Sequence, residues 1–282
     1  SVYVNASDYA KADPLIARVI AETKTNNPEV YALQGSSFYN NDKFAEAIPA
    51  LKRAIELKPD APEDQWLQML LACYSETEDN ASAIALGEQM QRKSPDDKRA
   101  LMMLAGIYSN ADQTEKAAAL LDGARQKGML TEAVDYQRLV SMYFGMDREK
   151  EAAVILEEGM AKGIVPADGK NYSLLAQAHY FSDNIPAAIA AAQKAAPLAT
   201  DGEPALFLAQ ILGQEDRNAE AKAAAQQALA KGLKTPGNAW MTIARAEYYS
   251  DNVAAAQAAY REAAKDPSTK AEAQKALAQI SR

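Results

Sequence analysis

One motif, written between Tyr31 and Pro59, constrains this chain more than any other feature, because most of the remaining sequence repeats it. It runs Tyr31-Ala-Leu-Gln-Gly35-Ser-Ser-Phe38, then a polar turn at Asn40–Lys43, then Ala47-Ile-Pro-Ala-Leu51, and it closes at Pro59. Apolar residues at helical spacing flank a turn of Asn and Asp. A small residue, Gly35 or Ala47, stands in each half. That is a pair of helices with one apolar face that the pair cannot bury alone. Stacking pairs buries those faces as one continuous core.

The unit recurs with variations. After the first copy (about 28–61) come copies at about 64–97, 98–132, 133–167, 169–201, 202–235 and 237–270. Small residues reappear at Ala105, Ala117, Ala152, Ala176, Ala188, Ala209 and Ala244, where helices can approach closely. Gly87 stands where the other copies tend to carry a large residue. The turns rhyme too: Asn40-Asn41-Asp42, Glu78-Asp79-Asn80, Ser182-Asp183-Asn184 and Ser250-Asp251-Asn252 hold one place, with residues that tolerate turn dihedrals and cap the next helix. With Tyr31, Gln34, Gly35, Phe38, Ala47, Leu51 and Pro59 in its slots, the pattern resembles the tetratricopeptide repeat. The resemblance implies an all-α solenoid of helix pairs wound as a right-handed superhelix. Residues 1–27 read as an N-terminal half-repeat, 28–270 as about seven repeats, and 271–282 as a polar capping helix. In the half-repeat, Ser1–Ala6 reads as an extended end, Ser7 or Asp8 as a short helix start that Pro14 interrupts, and Asp13-Pro14 as a fresh N-cap and N1. Leu15, Ile16, Val19 and Ile20 are expected on one apolar face.

Alanine-rich runs such as Ala187–Ala196 and Ala219–Ala230 strengthen the helical reading, and no alternating β-branched pattern suggests a strand. The net charge of −8, without a Lys/Arg cluster, argues against nucleic acid. No run of apolar residues is long enough to span a membrane. Cys73 is the only cysteine, so no intrachain disulfide forms, and beside Tyr74 it reads as a buried inert thiol. His179 is the only histidine and occupies an aromatic packing slot, which leaves histidine-based metal sites without ligands. Asp96-Asp97 and Glu157-Glu158 read as solvated charge at a helix start and on a helix surface. No nucleotide-binding or nucleophile motif occurs, so neither an enzyme nor a cofactor is expected.

The repeat resemblance also implies which first-helix residues face the concave groove. Among them are Tyr39, Gln137, Phe144, Gln177, Tyr180 and Phe181, followed by Gln210, Gln214, Arg245, Tyr248 and Tyr249. Chaperone-tail adaptors of the family carry a Lys/Asn/Arg clamp for a terminal carboxylate. Gln, Ser, Met and Ala stand in the corresponding slots here, which leaves an amide and aromatic lining suited to a protein or peptide partner. From Trp66 onward the chain resembles a narrower group, the periplasmic repeat proteins associated with the TonB–ExbB–ExbD system. The similarity rests on Trp66-Leu67-Gln68-Met69-Leu70, Ala152–Gly159 with Gly163, Asp201-Gly202-Glu203, and Ala228–Gly232 leading to Trp240. It implies a non-enzymatic scaffold of the Gram-negative envelope that assists TonB-dependent transport. The alternatives are an adaptor in pilus or outer-membrane biogenesis and, of another class, an enzyme. A chain that begins at Ser1 without Met fits a removed leader or an arbitrary boundary, and the resemblance implies a periplasmic location, with the cytoplasm as the alternative.

Overall fold

The computed structural model describes residues 9–60 and 62–280. The expectations for Ser1–Ala6 and for a helix start at Ser7 or Asp8 lie outside them. The described residues form sixteen α-helices and no strand. They fall into two compact units, Ser1–Met129 and Leu130–Arg282.

The first unit holds α1 (Tyr9–Thr23), α2 (Pro28–Asn40), α3 (Phe44–Leu57), α4 (Asp64–Glu76), α5 (Asn80–Lys93), α6 (Lys98–Asn110) and α7 (Thr114–Gln126). The second holds α8 (Ala133–Phe144), α9 (Glu149–Ala161), α10 (Gly169–Phe181), α11 (Ile185–Leu198) and α12 (Glu203–Gln214). It continues with α13 (Asn218–Lys231), α14 (Gly237–Tyr249), α15 (Val253–Ala263) and α16 (Lys270–Ile280). Within each unit every helix packs on the next.

The turn inside each pair has one solution, used seven times. Asp42, Glu78, Asp112, Asp147, Asp183, Asp216 and Asp251 take positive φ, from 54° to 60°. The following N–H then reaches back to a carbonyl in the last turn of the helix: Lys43 to Phe38, Gln113 to Tyr108, Asn184 to His179, Asn252 to Glu247, at 2.8–2.9 Å. This is the Schellman closure, with Asp six times and Glu78 once in the place where Gly is usual. A short carboxylate tolerates the left-handed region better than most side chains. The capping expectation divides. Asp79 and Asn252 accept N–H bonds from Ser82 and Ala255, while Asn184 makes no side-chain cap bond.

Every small slot named from the sequence is buried, and the eight alanines among them are fully so. The reason is clear at Gly35, where a Cβ would stand 2.6 Å from Leu51 Cγ. At Gly87 the missing side chain is replaced by Leu104 and Ile107, whose methyls would lie about 3 Å from a Cβ.

The N-terminal helix departs from expectation. It runs unbroken through Pro14, and Asp13 is not its cap. The Asp13 carboxylate is buried and accepts bonds from Ser37 Oγ (2.6 Å), Asn41 Nδ2 (2.9 Å) and Lys43 Nζ (2.8 Å), which pins α1 to the end of α2. Burial pushes this carboxyl up, but the bonds from Lys43, Ser37 and Asn41 outweigh it and hold it below the usual carboxylate range. Pointing Asp13 inward rotates the helix so that Ala12 and Ile16 are buried, while Leu15 and Val19 stay nearly half exposed. The four apolar residues therefore do not share one buried face.

Candidate binding groove

Alanine shapes the groove of the second unit. In α11, Ala188, Ala191, Ala192, Ala195 and Ala196 are all buried, as are Ala221, Ala224, Ala225 and Ala228 in α13. Small side chains let each second helix lie close against its partner. The first helices α10, α12 and α14 then carry the larger polar and aromatic groups outward, with α12 and α14 in direct contact.

Two contiguous cavities lie on this face. The first, of 710 Å³, has Ala176, Ala195 and Leu206 toward its floor and Gln177, Gln210 and Phe207 along its side. The second, of 630 Å³, is walled by Tyr180, Phe207, Gln214, Thr242, Arg245 and Tyr249. Phe207 and Gln210 line both. Tyr180 is held in place: its ring meets Phe181 and Phe207 edge-on at 5.5 Å each, and its hydroxyl donates to Gln214 Oε1 at 2.9 Å.

The framework around the cavities is built by long-range polar contacts. Lys231 on α13 donates to the carbonyls of Ala196, Pro197 and Ala199, which satisfies the C-terminus of α11 at the rim of the first cavity. Asp266 accepts from the Gly237 N–H at 2.9 Å and so fixes the start of α14. The Ser268 hydroxyl and the backbone N–H groups of Ser268 and Gly237 hold its carboxyl below the usual range. A side chain at Gly237 would collide with Thr269 Oγ1 and Asp266. Arg245 reaches Glu272 on α16 at 2.6 Å, so this groove cation is already paired.

Of the residues singled out by the resemblance, Gln177, Tyr180, Gln210, Gln214, Arg245 and Tyr249 line the two cavities. Phe181 flanks Tyr180, and Tyr248 packs edge-on against Tyr249 at 5.8 Å. Gln137 and Phe144 lie on α8, half-buried and outside both cavities. Tyr39 belongs to the first unit, where its ring packs on Phe44 at 5.5 Å and joins the core around Leu51. Phe207 was not among the expected residues, although it links the cavities. Its signal was weak: it sits in the run Leu206-Phe207-Leu208, where an aromatic reads as core.

The remaining reactive groups are occupied or buried. His179 is buried with Nε2 3.0 Å from Glu157 Oε1. Glu158 accepts from Tyr136 and Lys162. Asp97 caps α6 through the Arg99 N–H. Cys73 is fully buried, and desolvation pushes its thiol up to about 11, far from a reactive thiolate at neutral pH. Among the described residues no group of three or more His, Cys, Asp or Glu is placed to hold a metal ion, and no helix is long and apolar enough to cross a membrane.

Residues 1–62 and 74–141 each match a tetratricopeptide-repeat family model. No curated protein matches the chain in sequence. Among solved structures, the C-terminal part of a TPR repeat-containing protein from Cytophaga hutchinsonii aligns over 98% of this chain and 97% of its own, with a TM-score of 0.55 and 16% identity. YrrB, described as a TPR protein with an unusual peptide-binding site, aligns over 67% of this chain and 96% of its own (TM-score 0.53, 19% identity). MamA aligns over 60% and 97% (TM-score 0.50, 17% identity). At these identities the likeness concerns the fold. The fold is that of a tetratricopeptide-type solenoid of helix pairs, and the family matches assign the repeat itself to residues 1–62 and 74–141.

Proposed function

We propose that this protein is a non-catalytic scaffold whose second unit binds an extended segment of a partner protein along α10, α12 and α14. Repeat proteins of this type are generally protein-interaction scaffolds. The observation that carries the reading is the exposure of aromatic rings beside two joined cavities: Tyr249 is 68% exposed, Phe181 62% and Tyr248 44%. Large rings left in water on a rigid surface have the character of interface anchors. Gln177 and Gln210 are exposed beside them, and their side-chain amides make no hydrogen bond among the described residues, so they are free to bond a peptide backbone. That YrrB is described as having a peptide-binding site agrees with this use of the fold.

The finer reading rests on the resemblance that begins at Trp66. It makes the protein a periplasmic component of the Gram-negative envelope that assists TonB-dependent transport, with TonB-system components as its partners. Tyr180→Ala, Phe181→Ala and Tyr249→Ala, made singly, test the groove by melting temperature and by partner capture from envelope extract. Loss of capture by a variant that melts normally supports it. Lowered stability in all three, with capture by the folded protein intact, makes these rings core and refutes the groove. Release of the full-length product by osmotic shock, and lost TonB-dependent uptake on deletion of its gene, test the finer reading. Retention in the cytoplasm refutes it.

A further inference from the structure

The charge on the groove is one-sided. Asp168, Asp201 and Glu203 line the first cavity with Lys170, and the other ammonium at its rim, Lys231, is engaged by three backbone carbonyls. Glu203 is exposed and forms no ion pair among the described residues. In the second cavity Arg245 is neutralised by Glu272 on α16, and Asp216 remains on the rim. A partner carboxylate therefore has to displace Glu272 at one end and meets three carboxylates at the other. A partner cation meets unpaired Glu203 at one end and the exposed faces of Tyr249 and Phe181 at the other, both of which attract ammonium and guanidinium groups. The whole chain, at −8, adds a long-range field of the same sign.

Backbone chemistry selects the conformation of that partner. A helix satisfies its own N–H and C=O groups and has no use for the free amides of Gln177 and Gln210. An extended strand has unpaired groups on both sides. Resting on the groove assignment made above, we infer that the segment it takes is extended and basic, with Lys or Arg at the Glu203 end and a large apolar side chain against Phe207.

The test is selection of a random dodecapeptide phage library on the purified protein, followed by sequencing of the retained pool. The expected pool carries about threefold or more Lys and Arg over Asp and Glu. Glu203→Lys is expected to abolish that excess. The leading selected peptide, fluorescein-labelled, is expected to bind about thirtyfold more weakly to Phe207→Ala, and more weakly as salt is raised from about 50 to about 300 mM. Gln210→Ala, at an exposed side chain, is expected to weaken it too and guards against a folding defect in the first variant. A pool with balanced or acidic charge whose binding is lost in both variants overturns the basic-segment inference and leaves the groove standing. A pool indifferent to both variants, or no enrichment at all, overturns the groove assignment and this inference with it.

Discussion

The two units solve the same packing problem with different side chains. At the large slot of the second helix the first unit carries Leu51, Gly87 and Leu121 and the second Leu156, Ala192, Ala225 and Tyr260, all buried, so alanine holds the slot on α11 and α13 alone. In the first unit large side chains turn inward: Phe38, Tyr39, Phe44, Met69, Met90, Met103 and Ile107 pack around Leu51 and Tyr74. In the second, alanine supplies much of the interior, and several rings stand outside it on α10 and α14. The cavities follow this division, at 310 and 200 Å³ in the first unit and 710 and 630 Å³ in the second. A repeat fixes where the interior is but not which residues fill it. Where small residues suffice, large ones are left for the surface.

The largest expected effects come from exchanging these two interiors. Leu51→Ala leaves a hole in a fully buried site and is expected to cost about 2–5 kcal/mol in urea denaturation. The reverse change, Ala225→Leu, overpacks a closed helix crossing and is expected to cost roughly 1–3 kcal/mol. Neutrality of Ala225→Leu would show that the alanine interior has room to spare, and the contrast between the units would fail.

Next comes Asp13, which belongs to the first unit alone. Asp13→Ala removes the buried carboxylate that accepts from Ser37, Asn41 and Lys43 and is expected to cost about 2–3 kcal/mol. The pH dependence has a defined sign. The native carboxyl titrates below its unfolded value, so its stabilisation is present above the unfolded pKa of about 4 and fades as pH falls through the lowered native one. Acid titration of the wild type and of Asp13→Asn, followed by circular dichroism below about pH 4, should show a shallower loss in the variant. Parallel curves would remove Asp13 from the account.

The smallest stability effect is expected at the most exposed ring. Tyr249→Ala should change stability by less than about 0.5 kcal/mol, since its side chain stands mainly in water. A cost near that of a core residue would place Tyr249 with the first unit's inward rings and erase the distinction.

The array was legible in the sequence because its requirements are local and repeated. A small slot is read from one position, and the turn from an Asn/Asp step that recurs at Asp42, Asp183 and Asp251 with the same left-handed backbone. Asp13 was misread because its role depends on partners 24–30 residues away, which no helix-start rule anticipates. Cavity-lining positions were legible where slots repeat, as at Gln177, Gln210 and Arg245. They were not where one residue departs from its equivalents. Phe207 hides in an apolar run, and Tyr39 shares Tyr180's slot but finds Phe44 beside it and packs inward. Which way a ring turns is decided by neighbours in the next helix, and the slot pattern does not encode them.

Site-specific photo-cross-linking tests the central claim most directly. A photoreactive phenylalanine at Tyr249, on a first helix, is compared with one at Val154, which is also more than half exposed but lies on the second helix α9. With the bound partner segment present, the groove account predicts a cross-link to that segment from Tyr249 and none from Val154. Cross-linking from Val154 with silence at Tyr249 would contradict it and move the binding surface to the second helices.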